Sequence, residues 1–177
     1  MEKLLLFAIL SVTFLNIQAQ DTATSPDVWK TYSKEDYTIQ YPSSWELNES
    51  GMMGTSFIFL SPPDGPNDNF RENVNMVTQS LQGQKITMDQ FVELTKNQLK
   101  VLITGVNILY EERKEKEGLE YHKIIYTGTQ GTLNLKLEQY YFLANDSIYS
   151  LTLTCTIVDF DDYQEIGEKI MDSFELK

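Results

Sequence analysis

Few residues in this chain are equipped for chemistry. His122 is its one imidazole, so any Ser–His or Cys–His mechanism, or any histidine metal site, would have to use it. It stands between Tyr121 and Lys123 in a strand-like stretch, and no G-x-S-x-G nucleophile elbow occurs in the chain. The residue types around it predict an ordinary, half-exposed sheet histidine. Cys155 is the one cysteine, which excludes an intramolecular disulfide framework and a multi-cysteine zinc site. It falls on the apolar side of a two-residue alternation, where burial would keep its thiol protonated and inert. Asp64, Asn67, Asp68 and Asn69 place several hard oxygens in one loop, where calcium would be conceivable. Their spacing does not match an EF-hand loop, and a solvated turn accounts for them. Phosphate-loop, dinucleotide and zinc-protease patterns are absent from the sequence. No catalytic, cofactor-binding or metal residues are therefore expected.

The charge narrows the partners. The 177 residues carry 14 Lys and Arg against 26 Asp and Glu, a formal net charge of −12, which argues against nucleic acid because phosphate would repel such a surface. At 41% hydrophobic the chain is too apolar for a disordered acidic tail. From Asp159 to Lys177 there are seven acids and two bases, so part of the acidity gathers around the end of the chain. Glu111 to Glu117 (EERKEKE) mixes both signs, as suits the exposed tip of a hairpin whose charges discourage edge pairing.

The first nineteen residues read as an address. Lys3 gives a positive start, Leu4 to Leu15 is mostly apolar, and Ala19 is the small residue a signal peptidase needs. Twelve helical residues would reach only about 18 Å, short of the roughly 30 Å hydrocarbon core. Residues 1–19 are thus expected to be a signal peptide cleaved after Ala19, and 20–26 a flexible leader. Gln20 stands where a lipoprotein would need Cys. Beyond the leader, no stretch is long and apolar enough to suggest a spanning helix.

The elements that must position these residues follow from periodicity. Val28 to Ser33, Tyr37 to Tyr41, Thr55 to Leu60 and Asn73 to Leu81 read as strands, with Ser61 to Asn69 as the clearest loop. A capping box, Thr87 with Gln90, opens a helix whose apolar stripe is Met88, Phe91, Val92, Thr95, Leu99, Leu102 and Ile103, ending at Gly105. Val106 to Lys116, Leu119 to Thr127, Thr132 to Leu143 and Ile148 to Val158 read as four further strands. The last of them alternates cleanly, leaving Ser150, Thr152, Thr154 and Thr156 to meet water or polar neighbours. A closing helix buries Tyr163, Ile166, Gly167, Ile170, Met171 and Phe174. The order predicts one α+β domain over residues 27–177, an antiparallel sheet covered by helices.

The spacing Tyr37-x-Ile39-x-Tyr41-Pro42-x-x-Trp45 resembles the opening signature of the PsbP-like (Mog1/PsbP, DcrB-type) superfamily. Ile170-Met171-x-Ser173-Phe174 looks like that family's closing helix, and Phe70-x-Glu72-Asn73-Val74 is similar to a stretch of its secreted bacterial members. The resemblance implies an α/β/α sandwich around a central antiparallel sheet. It also implies an accessory or binding protein rather than an enzyme, with no shared catalytic motif to carry over. Tyr41, Pro42 and Trp45 make sense as structure, with Trp45 landing back on the sheet. The expectation is an exported, non-enzymatic accessory protein of the bacterial envelope with an unidentified protein partner. Its contact surface is expected either on the sheet's more polar face or on Asp64, Asn67, Asp68, Asn69, Phe70 and Arg71. The alternatives are a hydrolytic or ligand-modifying enzyme with an acidic cleft, and a structural surface protein.

Overall fold

The computed structural model describes residues 28–66 and 68–177, so the expected signal peptide, its cleavage site, the leader, Asp27 and Asn67 lie outside the described residues. Strand β1 (Trp29–Ser33) and β2 (Tyr37–Pro42) form a hairpin in which Trp29 pairs with Pro42. Then come β3 (Glu46–Asn48), β4 (Phe57–Leu60), β5 (Asn73–Ser80) and helix α1 (Met88–Leu102). A meander of β6 (Thr104–Lys116), β7 (Leu119–Gln130), β8 (Leu133–Ala144) and β9 (Ser147–Thr156) leads to α2 (Phe160–Asp172) and β10 (Glu175–Leu176).

The expected single sheet is two. Seven strands run in the order β3-β4-β5-β9-β8-β7-β6, and β1-β2-β10 make a small sheet of their own. Every described pairing is antiparallel. The chain is thus mixed α+β, with antiparallel sheets and two helices. Two strands went unread because β3 and β10 are only three and two residues long, too short to show a period of two.

Alternation along β9 assigns its residues to two cores. Tyr149, Leu151, Leu153 and Cys155 pack with Phe160, Ile170 and Met171 of α2 and with the small sheet. Ile148 joins Ile124, Tyr126, Leu135, Leu137 and Tyr141 under Phe91, Val92 and Leu99 of α1. Of the polar residues of β9, Thr152 and Thr154 are buried, with Gln139 Nε2 donating to Thr152 Oγ1 at 2.9 Å, while Ser150 and Thr156 are half-buried. Cys155 is fully buried, and burial pushes its thiol well above the ordinary range.

Helix α1 ends earlier than expected. Both halves of the capping box are present: Thr87 Oγ1 accepts the Gln90 N–H, and Gln90 Oε1 accepts the Thr87 N–H. At the other end Ile103 already has extended backbone angles (φ −115°, ψ 122°), so helical spacing stops there. Ile103 still turns into the core, but Leu102 is 56% exposed instead of buried. Gly105 lies within β6 at φ +65°, beside an irregularity between Thr104 and Asn107.

The two ends of the described chain meet. The Tyr37 ring lies 5.6 Å from Phe174, which also contacts Phe142 and Tyr149 at 5.0 and 5.7 Å. Ser173 Oγ accepts the Gln40 N–H at 2.7 Å and donates to the Ile170 carbonyl at 2.6 Å. Tyr41 stacks on Phe59 at 4.3 Å, Ile39 is fully buried, and Trp45 is buried with its ring 6.3 Å from Tyr163.

Candidate functional site

The β6–β7 hairpin turns at Glu117-Gly118, both at positive φ (52° and 83°), the conformation a tight two-residue hairpin requires. Its register puts Arg113 opposite His122 and Glu111 opposite Ile124, so Glu111, Arg113, Glu120 and His122 project from one face. Helix α1 lies over that face and presents Asp89, Glu93 and Lys96 at helical spacing. Between helix and hairpin is a groove of about 640 Å³.

Two cations stitch its walls. Lys96 Nζ contacts Glu111 of β6 at 3.0 Å and Glu93 of its own helix at 3.2 Å. Arg113 pairs with Asp89 of α1 and lies 3.4 Å from Glu120 of β7. Four carboxylates therefore share two positive charges. Glu112 turns to the opposite face, where it accepts from the Tyr110 hydroxyl.

His122 belongs to the floor of the groove. The expected half-exposed histidine is 7% exposed, because α1 covers the face of the sheet to which it belongs. Neither ring nitrogen has a hydrogen-bond partner among the described residues, and Nε2 lies 3.8 Å from Glu111 Oε2, beyond hydrogen-bond reach. Burial, followed by the Arg113 charge, pulls its pKa below the ordinary value against the pull of Glu111, which favours the neutral ring. A neutral imidazole beside a carboxylate can bind a donor or exchange a proton. The one hydroxyl among the described lining residues, Thr87, is engaged in capping α1.

The loop before β5 holds itself together with the side chains that pointed to a partner surface. Asp68 accepts the backbone N–H of Phe70 at 2.9 Å and of Asp64 at 3.1 Å, and Asp64 accepts from the Tyr163 hydroxyl at 2.9 Å. Arg71 donates to Glu46 at 2.7 Å and to the Ser61 carbonyl at 2.6 Å. Phe70 is buried in the α1-side core, Asn69 is exposed, and Asn67 is outside the described residues. Among the described residues no cluster of three or more His, Cys, Asp or Glu is arranged to hold a metal.

Two buried groups escaped the sequence reading. On the α2 side, Lys123 contacts Glu138 at 2.7 Å and Glu168 at 2.8 Å, with Glu138 fully buried. Burial opposes the Lys123 charge, yet its two carboxylate partners outweigh it and hold the pKa above the ordinary value. The signal was present: Lys123 and Glu138 occupy apolar-face positions beside Tyr121, Ile125, Tyr140 and Phe142. Glu72 is 1% exposed with Oε1 unpartnered among the described residues, and burial near Asp159 and Asp64 raises its carboxyl to about 7.

Comparisons with known proteins place this architecture. The fold is similar to PA94 of Pseudomonas aeruginosa (TM-score 0.60, 16% identity, covering 82% of this chain and 94% of that one). It is similar to the cyanobacterial PsbP, CyanoP, of Synechocystis sp. PCC 6803 (TM-score 0.64, 13% identity, 90% and 98% covered). LpqN, involved in cell envelope biogenesis of Mycobacterium tuberculosis, matches with TM-score 0.61 and 11% identity over 86% of each chain. At these identities the likeness is one of fold. A comparison with curated proteins finds no match. Among the described residues no helix is long and apolar enough to cross a membrane. The profile of the PsbP-like proteins matches residues 12–176, and this chain belongs to that family.

Proposed function

We propose that this chain is an exported, non-enzymatic accessory protein of the bacterial envelope that works by binding a partner, and that the groove between α1 and the β6–β7 hairpin is where it binds. The observation that carries the reading is the groove itself. Its rim charges are cross-linked between two elements, and its floor is a buried imidazole with no protein partner among the described residues. Such a surface is built to be completed by a guest. Membership of the PsbP-like family supports an accessory role, and the envelope role of LpqN supports the setting. The layout of residues 1–19 supports export with cleavage after Ala19, without lipidation because Gln20 follows. The two helix-covered faces of the seven-stranded sheet support the α/β/α layering. Asp64 and Asn69 would offer a second contact.

Crosslinking of the mature chain in bacterial envelope extract tests the reading. A captured partner should be lost when Glu93 and Glu111 are both replaced by Lys. No capture above background, or equal capture by the double variant, would overturn it. Export has its own check: intact mass of protein secreted with its own leader should begin at Gln20.

One observation favours a second reading, an enzyme of the hydrolytic or ligand-modifying kind: His122 Nε2 stands 3.8 Å from Glu111 Oε2 in the groove. If an activity is measured and survives both His122→Ala and Glu111→Gln, that reading is finished.

A further inference from the structure

We propose that the groove receives the guanidinium or ammonium group of an Arg or Lys side chain from a protein partner, held by Glu111 and His122. This rests on the reading that the groove is the binding site and names what enters it.

Charge points to a cation. Asp89, Glu93, Glu111 and Glu120 share only Lys96 and Arg113, so the groove keeps negative charge after its own pairs are made. The whole chain carries −12, and that field draws a basic partner in and repels an acidic one. Lys96 is divided between Glu93 and Glu111, so an entering cation can take Glu111 while Lys96 keeps Glu93.

The floor points to a hydrogen-bond donor. His122 is buried, and neither ring nitrogen has a hydrogen-bond partner among the described residues. The 3.8 Å between Nε2 and Glu111 Oε2 is too long for a direct bond; Nε2 is shielded from solvent, so a guest nitrogen about 2.9 Å from each enters as Lys96 withdraws from Glu111 to Glu93. A carboxylate or phosphate guest would instead face four carboxylates whose only cations, Lys96 and Arg113, are already paired with them. Met88 and Val92, one turn apart on α1 and both buried, line the same groove and supply an apolar wall for the methylenes of the stem.

The chain carries its own reporter. With one histidine in the sequence, the imidazole NMR signals of isotope-labelled mature protein without a histidine tag belong to His122 alone. Titration with acetyl-Gly-Arg-Gly-amide and its Lys counterpart should shift those signals saturably. The Gln and Glu counterparts should bind at least tenfold more weakly. Glu111→Gln should weaken the Arg peptide at least fivefold, while Glu175→Gln, remote on β10, should leave it unchanged. An equal response to the Gln peptide would overturn the cation and leave the groove standing as a binding site. Silence toward all four peptides would also overturn the proposal, and the crosslinking result would then decide separately whether the groove binds a partner at all.

Discussion

His122 Nε2 lies 3.8 Å from Glu111 Oε2, the two side chains projecting from neighbouring strands toward the same helix. The ring is buried without a hydrogen bond among the described residues, and its neighbours are mixed: Arg113 and Lys96 oppose protonation, Glu111 and Asp89 favour it. Burial settles the balance, and the folded pKa falls below the ordinary 6.5.

Acid should therefore loosen the fold through this group. A histidine with a depressed folded pKa contributes stability that is present above its ordinary pKa and lost as pH falls through the folded value. The melting temperature of the wild type should drop between pH 7 and pH 5 more steeply than that of His122→Gln. Parallel curves for the two proteins would show that the ring does not titrate differently in the folded state.

Glu72 works in the opposite direction. Its carboxyl is raised to about 7 by burial, so its contribution is fully present below the ordinary carboxylate range and is lost as pH rises through about 7. Glu72→Gln keeps the shape without the charge. It should be more stable than the wild type at pH 8 by about 2–3 kcal/mol, because only the glutamate has to ionise inside the fold, and close to it at pH 5. Urea unfolding at both pH values measures this, and a variant less stable at pH 8 would refute it.

The Lys123–Glu138–Glu168 network should break asymmetrically. Lys123→Met leaves Glu138, fully buried, without its cation, and should cost about 3–5 kcal/mol. Adding Glu138→Leu should recover most of that loss, because an apolar pair suits this face and the partly exposed Glu168 can turn to solvent. A double variant as unstable as the single one would mean that the network does more than neutralise itself.

Gly167 is where α2 presses on β9. A Cβ there would stand 2.6 and 2.7 Å from the two methyls of Leu153. Alanine gains about 1 kcal/mol of helix propensity over glycine, but overpacking typically costs about 1–3 kcal/mol. Two short contacts in a filled core let the clash win, so Gly167→Ala should destabilise. Leu153→Ala in the same chain should offset part of that effect, which a double-mutant cycle would read as coupling.

Much of this protein is legible locally. Alternation places Cys155 inside, the capping box starts α1 at the right residue, and the Tyr-Pro-x-x-Trp and Ser-Phe signatures mark the family. Those signals depend on neighbours a few residues apart, and the chemistry of each side chain is enough to read them. The strands β3 and β10 escaped because pairing across space, rather than their own pattern, makes them strands. Leu102 was misassigned because a helix's end is decided where its backbone turns away.

The groove belongs to the other kind of information. Arg113 meets Asp89 across 24 positions and Lys96 meets Glu111 across 15, so the site exists only once α1 has folded over the β6–β7 hairpin. His122 in sequence is a strand residue between Tyr121 and Lys123. Tertiary structure decides that its two neighbours face one core while it faces the other, under a helix and beside a carboxylate. The sequence by itself determined the charge, the elements and the family; packing over long separations decided which side chains meet, because no local pattern encodes what lies across a sheet.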